Sequence, residues 1–222
     1  MQQIQKIAQL LILTLVSLPS LATIVTGGVT SGNGDFVELS IPFNDSNPDN
    51  TVGIDTFQND NLYGFNEDQN IILPSILSVD LLATTGLSGE LTSNTVVASH
   101  YIFFDPVNTI NQEGFVDFDA DILAVIFSTD NLSASDFLLN NNVTYLNPSA
   151  RGLEGVDAVS VDGTLANRLL VDWRAATPGD YIRVLTALSP GAGDPTAPDG
   201  IPEPASILIF GLGALMLYLR RR

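Results

Sequence analysis

The chain has 222 residues, a formal charge of −17 at pH 7, one histidine and no cysteine. Without cysteine there is no disulfide framework, no thiol nucleophile and no cysteine-ligated zinc or iron–sulfur site. The acidity argues against a nucleic-acid partner, because no basic patch exists to displace phosphate counterions.

The first segment reads as an export signal. Lys6 is the only charged side chain before Asp35, and Ile7 to Leu18 is a run of Leu, Ile, Val and other uncharged residues that ends at Pro19. Ser20-Leu21-Ala22 places small residues where a signal peptidase reads them, so cleavage after Ala22 is expected. Twelve apolar-rich residues are too few for a spanning helix. Residues 1–22 are therefore taken as a signal peptide with a helical core, and signal peptidase as a partner.

The body, with its linker, spans residues 23–201. It holds 24 of the acids against four bases, Arg151, Arg168, Arg174 and Arg183, a formal charge of −20. Its length fits one domain with a sizeable core. Short runs rich in β-branched and aromatic residues alternate with Gly, Asn, Asp, Ser and Thr. The runs are 36–43, 52–57, 96–104, 115–127, 143–146, 156–161, 169–173 and 181–188. In the first, Val37, Leu39 and Ile41 share one face and Glu38 and Ser40 the other. The run 156–161 changes phase near its middle. Period-two runs bounded by turn residues predict half-buried antiparallel strands. The expected fold over 23–188 is all-β, an antiparallel β-sandwich ectodomain, with an open barrel as the second possibility.

Two local features refine this. Leu169–Trp173, then Thr177-Pro178-Gly179-Asp180, then Tyr181–Leu185 predicts a hairpin with a type II turn, Pro setting one dihedral and Gly the next. Trp173 is expected in the core. One helix of a turn or two is expected within 131–139, with Ser133 as N-cap and Asp136 as its capping acid. Residues 71–82 are ambiguous, and Pro74 argues against a central strand there.

Candidate chemistry is sparse. His100 lies mid-strand and no Gly-x-Ser-x-Gly elbow accompanies it, so a structural histidine is expected rather than a hydrolase base. Asp117, Asp119 and Asp121 would share one face of an extended segment, where like charges repel unless a cation or an arginine lies among them. A solvated acidic surface is the expected reading of these acids; calcium, which accepts carboxylate, amide and carbonyl oxygens, is the one cofactor kept as an alternative. No other cofactor is expected.

The end of the chain is the most specific stretch. Residues 189–201 form a Pro- and Gly-rich linker. Pro202, Glu203 and Pro204 follow; proline stops any preceding helix and suits the first turn of the next. Ala205 to Leu219 is apolar and about 22 Å long as a helix, short for a membrane span. Arg220, Arg221 and Arg222 can snorkel to the interface and hold the terminus on the cytoplasmic side. A short transmembrane helix over 205–219 is expected, with the body exported.

The order Pro-Glu-Pro, short apolar helix, basic cluster resembles the sorting signal of PEP-CTERM proteins. Segments 97–106, 117–126 and 178–184 are also similar to a recurrent ectodomain of those proteins. The resemblance implies an exosortase partner that cleaves near Pro202–Pro204 and passes the protein from a transient membrane anchor to the cell surface or extracellular matrix. It implies no enzymatic activity for the ectodomain. The expected function is a non-catalytic surface or matrix protein, with exopolysaccharide as a possible neighbour. The alternative is a calcium-assisted carbohydrate-binding module, which predicts exposed aromatics on a sheet face or at loop tips. A secreted hydrolase is the third reading and needs a cleft around His100 or close carboxylates.

Overall fold

Two burial patterns distinguish the two main sheets: strand 168–175 alternates buried and exposed residues, whereas strands 96–104 and 180–186 are buried on both faces. The computed structural model describes residues 23–188. The signal segment with Ala22, the linker, Pro202, Glu203, Pro204, the apolar run 205–219 and Arg220 to Arg222 lie outside the described residues. Among the described residues no helix is long and apolar enough to cross a membrane.

The structure is mostly β. One antiparallel sheet has four strands in the order β1 (Ile24–Ser31), β10 (Ile110–Phe118), β14 (Arg168–Ala175) and β13 (Ala158–Val161). The other has seven. Its path runs β2 (Phe36–Glu38), β4 (Leu62–Asn66), β9 (Val96–Phe104), β15 (Asp180–Thr186), β11 (Ile122–Ile126) and β7 (Leu81–Leu82), and β5 (Ile71–Ile72) also pairs with β9. Only β2 and β4 run parallel within it. Two short pairs complete the set: β3 (Thr51–Val52) with β12 (Thr144–Tyr145), and β6 (Leu77–Val79) with β8 (Gly89–Leu91).

Both sheets contribute to one core. Ile24, Val116, Phe118, Val171 and Trp173 come from the four-stranded sheet, and Leu62, Ile102, Phe104, Ile182 and Val184 from the seven-stranded one. The four-stranded sheet alternates cleanly: β14 buries every second residue and exposes Leu170, Asp172 and Arg174. The same period resolves β13, where Val159 and Val161 pack on the core and Ala158 and Ser160 face out. The seven-stranded sheet is covered on both faces. Its second face carries Tyr63, Phe65, Tyr101, Phe103 and Tyr181, packed under Leu39, Phe43, Phe57 and Val143. Further along, Val97, Ala124 and Leu185 meet Leu132 and Leu138. Val37, Leu39 and Ile41 do share one face, and all three pack on this second cluster.

Three expectations are corrected. Residues 169–173 and 181–185 do not pair: β14 bonds to β10 and β13, β15 to β9 and β11. Their buried side chains meet across the core, so the intervening chain is a corner between sheets and not a hairpin. Its turn is closed by the Gly179 N–H donating to the Ala176 carbonyl, around a cis Thr177–Pro178 bond, one residue earlier than a type II turn centred on Pro178 and Gly179 requires. The run 115–127 also divides, at 119–121, between β10 in one sheet and β11 in the other. The helix, α1 (Thr129–Ala134), starts before the expected position. Its N-cap is Ser128, whose Oγ accepts the Asn131 N–H, and Ser133 lies inside it. Asp80 explains the displacement: its carboxylate accepts from the Phe127 and Ser128 N–H groups, the Ser128 hydroxyl and the Asn131 amide. Asp136, free of a capping role, begins a 3-10 turn (Asp136–Leu138) and pairs with Arg151.

Candidate functional site

His100 sits on the core face of β9 and is fully enclosed. Its Nδ1 lies 2.7 Å from Asn66 Oδ1, and its Nε2 lies 3.1 Å from Thr186 Oγ1. Asn66 Oδ1 also accepts the Ile24 N–H, so Nδ1 is assigned as the donor and Nε2 accepts from the threonine hydroxyl. The ring packs on Phe118 with centroids 4.6 Å apart. Burial pushes its pKa down to about 3, against an ordinary value of 6.5. This environment suits a neutral structural imidazole with a partner at each ring nitrogen.

A pH prediction follows with a definite sign. Between about pH 6.5 and pH 3 the unfolded chain binds a proton at His100 that the folded chain refuses. The stability from neutral His100 is thus complete above pH 6.5 and lost as pH falls toward 3, at about 1.4 kcal/mol per pH unit. His100→Gln removes this dependence. The stability difference between wild type and His100→Gln, from urea unfolding, is expected to shift by roughly that slope between pH 6 and 4. A difference that is flat over this range would mean that the folded protein protonates the ring.

The three candidate calcium ligands do not share one strand face, since β10 ends at Phe118. Asp117, its penultimate residue, is held by Arg168: Nε and Nη2 donate to its two oxygens at 2.6 and 2.7 Å. The guanidinium also lies 4.3 Å from the Phe115 ring centroid. Asp117 is thus paired with an arginine across the β10–β14 ladder. Asp119 and Asp121 follow in the crossover between sheets, where the Asp119 N–H donates to the Thr23 carbonyl and the Asp121 carbonyl accepts the Ala187 N–H. Among the described residues no three His, Asp or Glu side chains are grouped to hold a metal ion.

Two polar sites were not visible in the sequence. The first lies on the second face of the seven-stranded sheet. Arg183 of β15 and Glu67, just after β4, are fully buried and bidentate: Nε donates to Oε2 at 2.6 Å and Nη2 to Oε1 at 3.0 Å. Ser99 Oγ and the Tyr145 hydroxyl donate to the same carboxylate. Arg183 Nη1 donates to the Leu132 carbonyl and to Ser135 Oγ. Asp136 stands 3.6 Å from Arg183 and forms a two-point pair with Arg151 at 2.8 and 2.9 Å. The Arg183 guanidinium donates to Glu67, Leu132 and Ser135, all protein partners, which is the arrangement of a structural staple.

The second lies at the corner between β14 and β15, where Asp180 lines a cavity of about 190 Å³. Burial first, then the charges of Asp157 and Glu154, push its carboxyl up to about 8. The only signal in the sequence was a Gly-Asp pair, read there as turn chemistry.

The tail carries a family match. Residues 200–222 match the PEP-CTERM protein-sorting motif. The match takes in Pro202, Glu203, Pro204 and Arg220 to Arg222. No curated protein and no solved structure matches the chain. The PEP-CTERM motif implies exosortase-dependent sorting of an exported surface or extracellular protein. It spans the tail alone and leaves the role of the β-domain to its own chemistry.

Proposed function

We propose that this is an exported, non-catalytic protein of the cell surface or extracellular matrix. Signal peptidase removes residues 1–22. The segment 205–219 then holds the chain in the membrane until an exosortase cuts near Pro202–Pro204. The ectodomain is read as a β-sandwich of the four- and seven-stranded sheets, with a structural or adhesive role beside exopolysaccharide. The observation that carries the reading is the sorting motif over residues 200–222. A non-catalytic role is supported by the enclosure of His100, the sole histidine, in the core. The carbohydrate-binding alternative draws little support from the surface: Phe137 is the one aromatic among the exposed large hydrophobics of the described residues.

Replacing Pro202, Glu203 and Pro204 together with alanine tests the sorting step. The altered protein is expected to accumulate uncut in the membrane fraction, at the mass of the form that has lost only its signal peptide. Release at the wild-type rate would reject exosortase processing and leave a plain C-terminal anchor.

A further inference from the structure

The corner between the sheets holds an unsatisfied group. Asp180 opens β15, and alternation along that strand puts it on the face of Ile182 and Val184, toward the shared core. It is 3 % exposed, and its Oδ2 is buried without a hydrogen-bond partner. It borders the cavity together with Thr109, Glu154, Arg174, Thr177 and Gly179. A buried carboxyl oxygen lacking a donor is costly, and the group responds by keeping its proton. The charges that act on it, Asp157 and Glu154, are both negative. Asp157 is fixed near the corner by accepting the Glu154 and Arg174 backbone N–H groups at 2.9 and 2.8 Å. The Arg174 side chain belongs to the exposed face of β14.

Hydrogen-bond donors together with positive charge on a ligand would satisfy the unpartnered Asp180 oxygen and the acidic side chains near it. A bare metal ion fits poorly, because no three acidic or histidine side chains among the described residues are grouped to coordinate one. The space is smaller than the roughly 300–1,000 Å³ of sites for drug-sized ligands, which points to a single small polar unit. Thr109 and Thr177 also line the space, and the Thr177 hydroxyl, which donates to Asp55, keeps acceptor capacity for a ligand hydroxyl. We propose that the corner lined by Asp180, Glu154, Thr109 and Thr177 binds a primary ammonium group, carried by a deacetylated amino sugar. The ammonium preference stands on the corner alone, whereas the choice of an amino sugar rests on the surface or matrix reading. On binding, Asp180 releases its proton to solvent and its carboxylate accepts a charge-assisted hydrogen bond from the ammonium, while the charges of Glu154 and Asp157 add to the field.

The test titrates the full chain, held in detergent, with glucosamine, n-butylamine, N-acetylglucosamine and calcium near pH 7, following the backbone amide signals of Gly179 and Asp180. Glucosamine and n-butylamine are expected to shift these signals, and N-acetylglucosamine is not. Asp180→Asn should weaken glucosamine binding by at least about tenfold, the loss of a hydrogen bond to a charged group. Glu154→Gln, on the surface, should weaken it about threefold. Neither variant should lower the melting temperature, which separates a lost site from a lost fold. Binding of n-butylamine but not glucosamine would overturn the amino sugar. Indifference to both amines, saturation by calcium instead, or unchanged binding by Asp180→Asn would overturn the site. None of these outcomes depends on whether the tail is cut.

Discussion

Arg183→Met is expected to lower the unfolding free energy by about 3–5 kcal/mol, the effect of leaving one buried charge without its partner. The substitution keeps the aliphatic stem and removes only the guanidinium. Glu67, fully buried, then retains the Ser99 and Tyr145 hydroxyls as donors but no positive charge. The Leu132 carbonyl and Ser135 Oγ lose their donor as well. The consequence reaches past the pair. Arg183 is the sheet side of a clamp on residues 129–151, because it touches α1, the turn after it and Asp136, which in turn holds Arg151. Urea unfolding followed by Trp173 fluorescence measures the change. The double variant Glu67→Leu with Arg183→Met should be less destabilised than the sum of the single variants, with a coupling of about 1–3 kcal/mol. Recovery stays partial, because Ser99, Tyr145 and Asp136 still face the vacated positions. A change below about 1 kcal/mol in Arg183→Met would mean that the pair is not closed in solution.

The strands that could be read from the sequence were those whose two faces differ or whose runs are long. Residues 96–104 emerge as β9 with the expected bounds, and 169–173 as the centre of β14, because β-branched and aromatic residues fill them. Two strands containing glycine, β1 and β4, gave no such run. β1 carries Gly27 and Gly28, and β4 carries Gly64, all poor strand formers by themselves. Tertiary packing supplies the reason for them. A Cβ on Gly27 would lie 2.4 Å from the Phe36 ring, and one on Gly64 would lie 2.8 Å from both Ile24 and Ile102. Glycine here admits a neighbour's bulk, a fact about distant residues that local propensity does not contain. The pairing of β14 and β15 with different partners is equally non-local. Residues 169–185 look like a hairpin in isolation, and only the burial of both faces of β15 makes it a central strand of the other sheet. The arginines show the same limit. Asp117 could be marked as a charge in need of an answer, but that Arg168 answers it depends on the register of β10 against β14. Glu67 and Arg183, 116 positions apart, gave no local sign of each other.

Trp173→Ala should be the most damaging substitution confined to the apolar core, costing about 3–5 kcal/mol. Trp173 ranks first among the largest fully buried side chains and sits in the cluster that joins the two sheets, between Val171 and Ala175 on β14. Truncation removes the indole from the layer where Phe104, Ile182 and Val184 approach from the other sheet. Those neighbours belong to central strands paired on both sides, so the sheets cannot collapse freely into the space, and the residual cavity adds to the lost transfer energy. At about 2–4 °C per kcal/mol for a domain of this size, the melting temperature should fall by roughly 6–20 °C. Trp173→Phe separates volume from polarity. The indole Nε1 is buried without a hydrogen-bond partner, so phenylalanine forfeits no bond and removes an unsatisfied donor. Its expected cost is about 1–2 kcal/mol, well short of the alanine value. Equal losses for the two variants would show that Nε1 does find a partner, a buried water being the chemistry to look for, and that the tryptophan is kept for its polar edge as much as for its bulk.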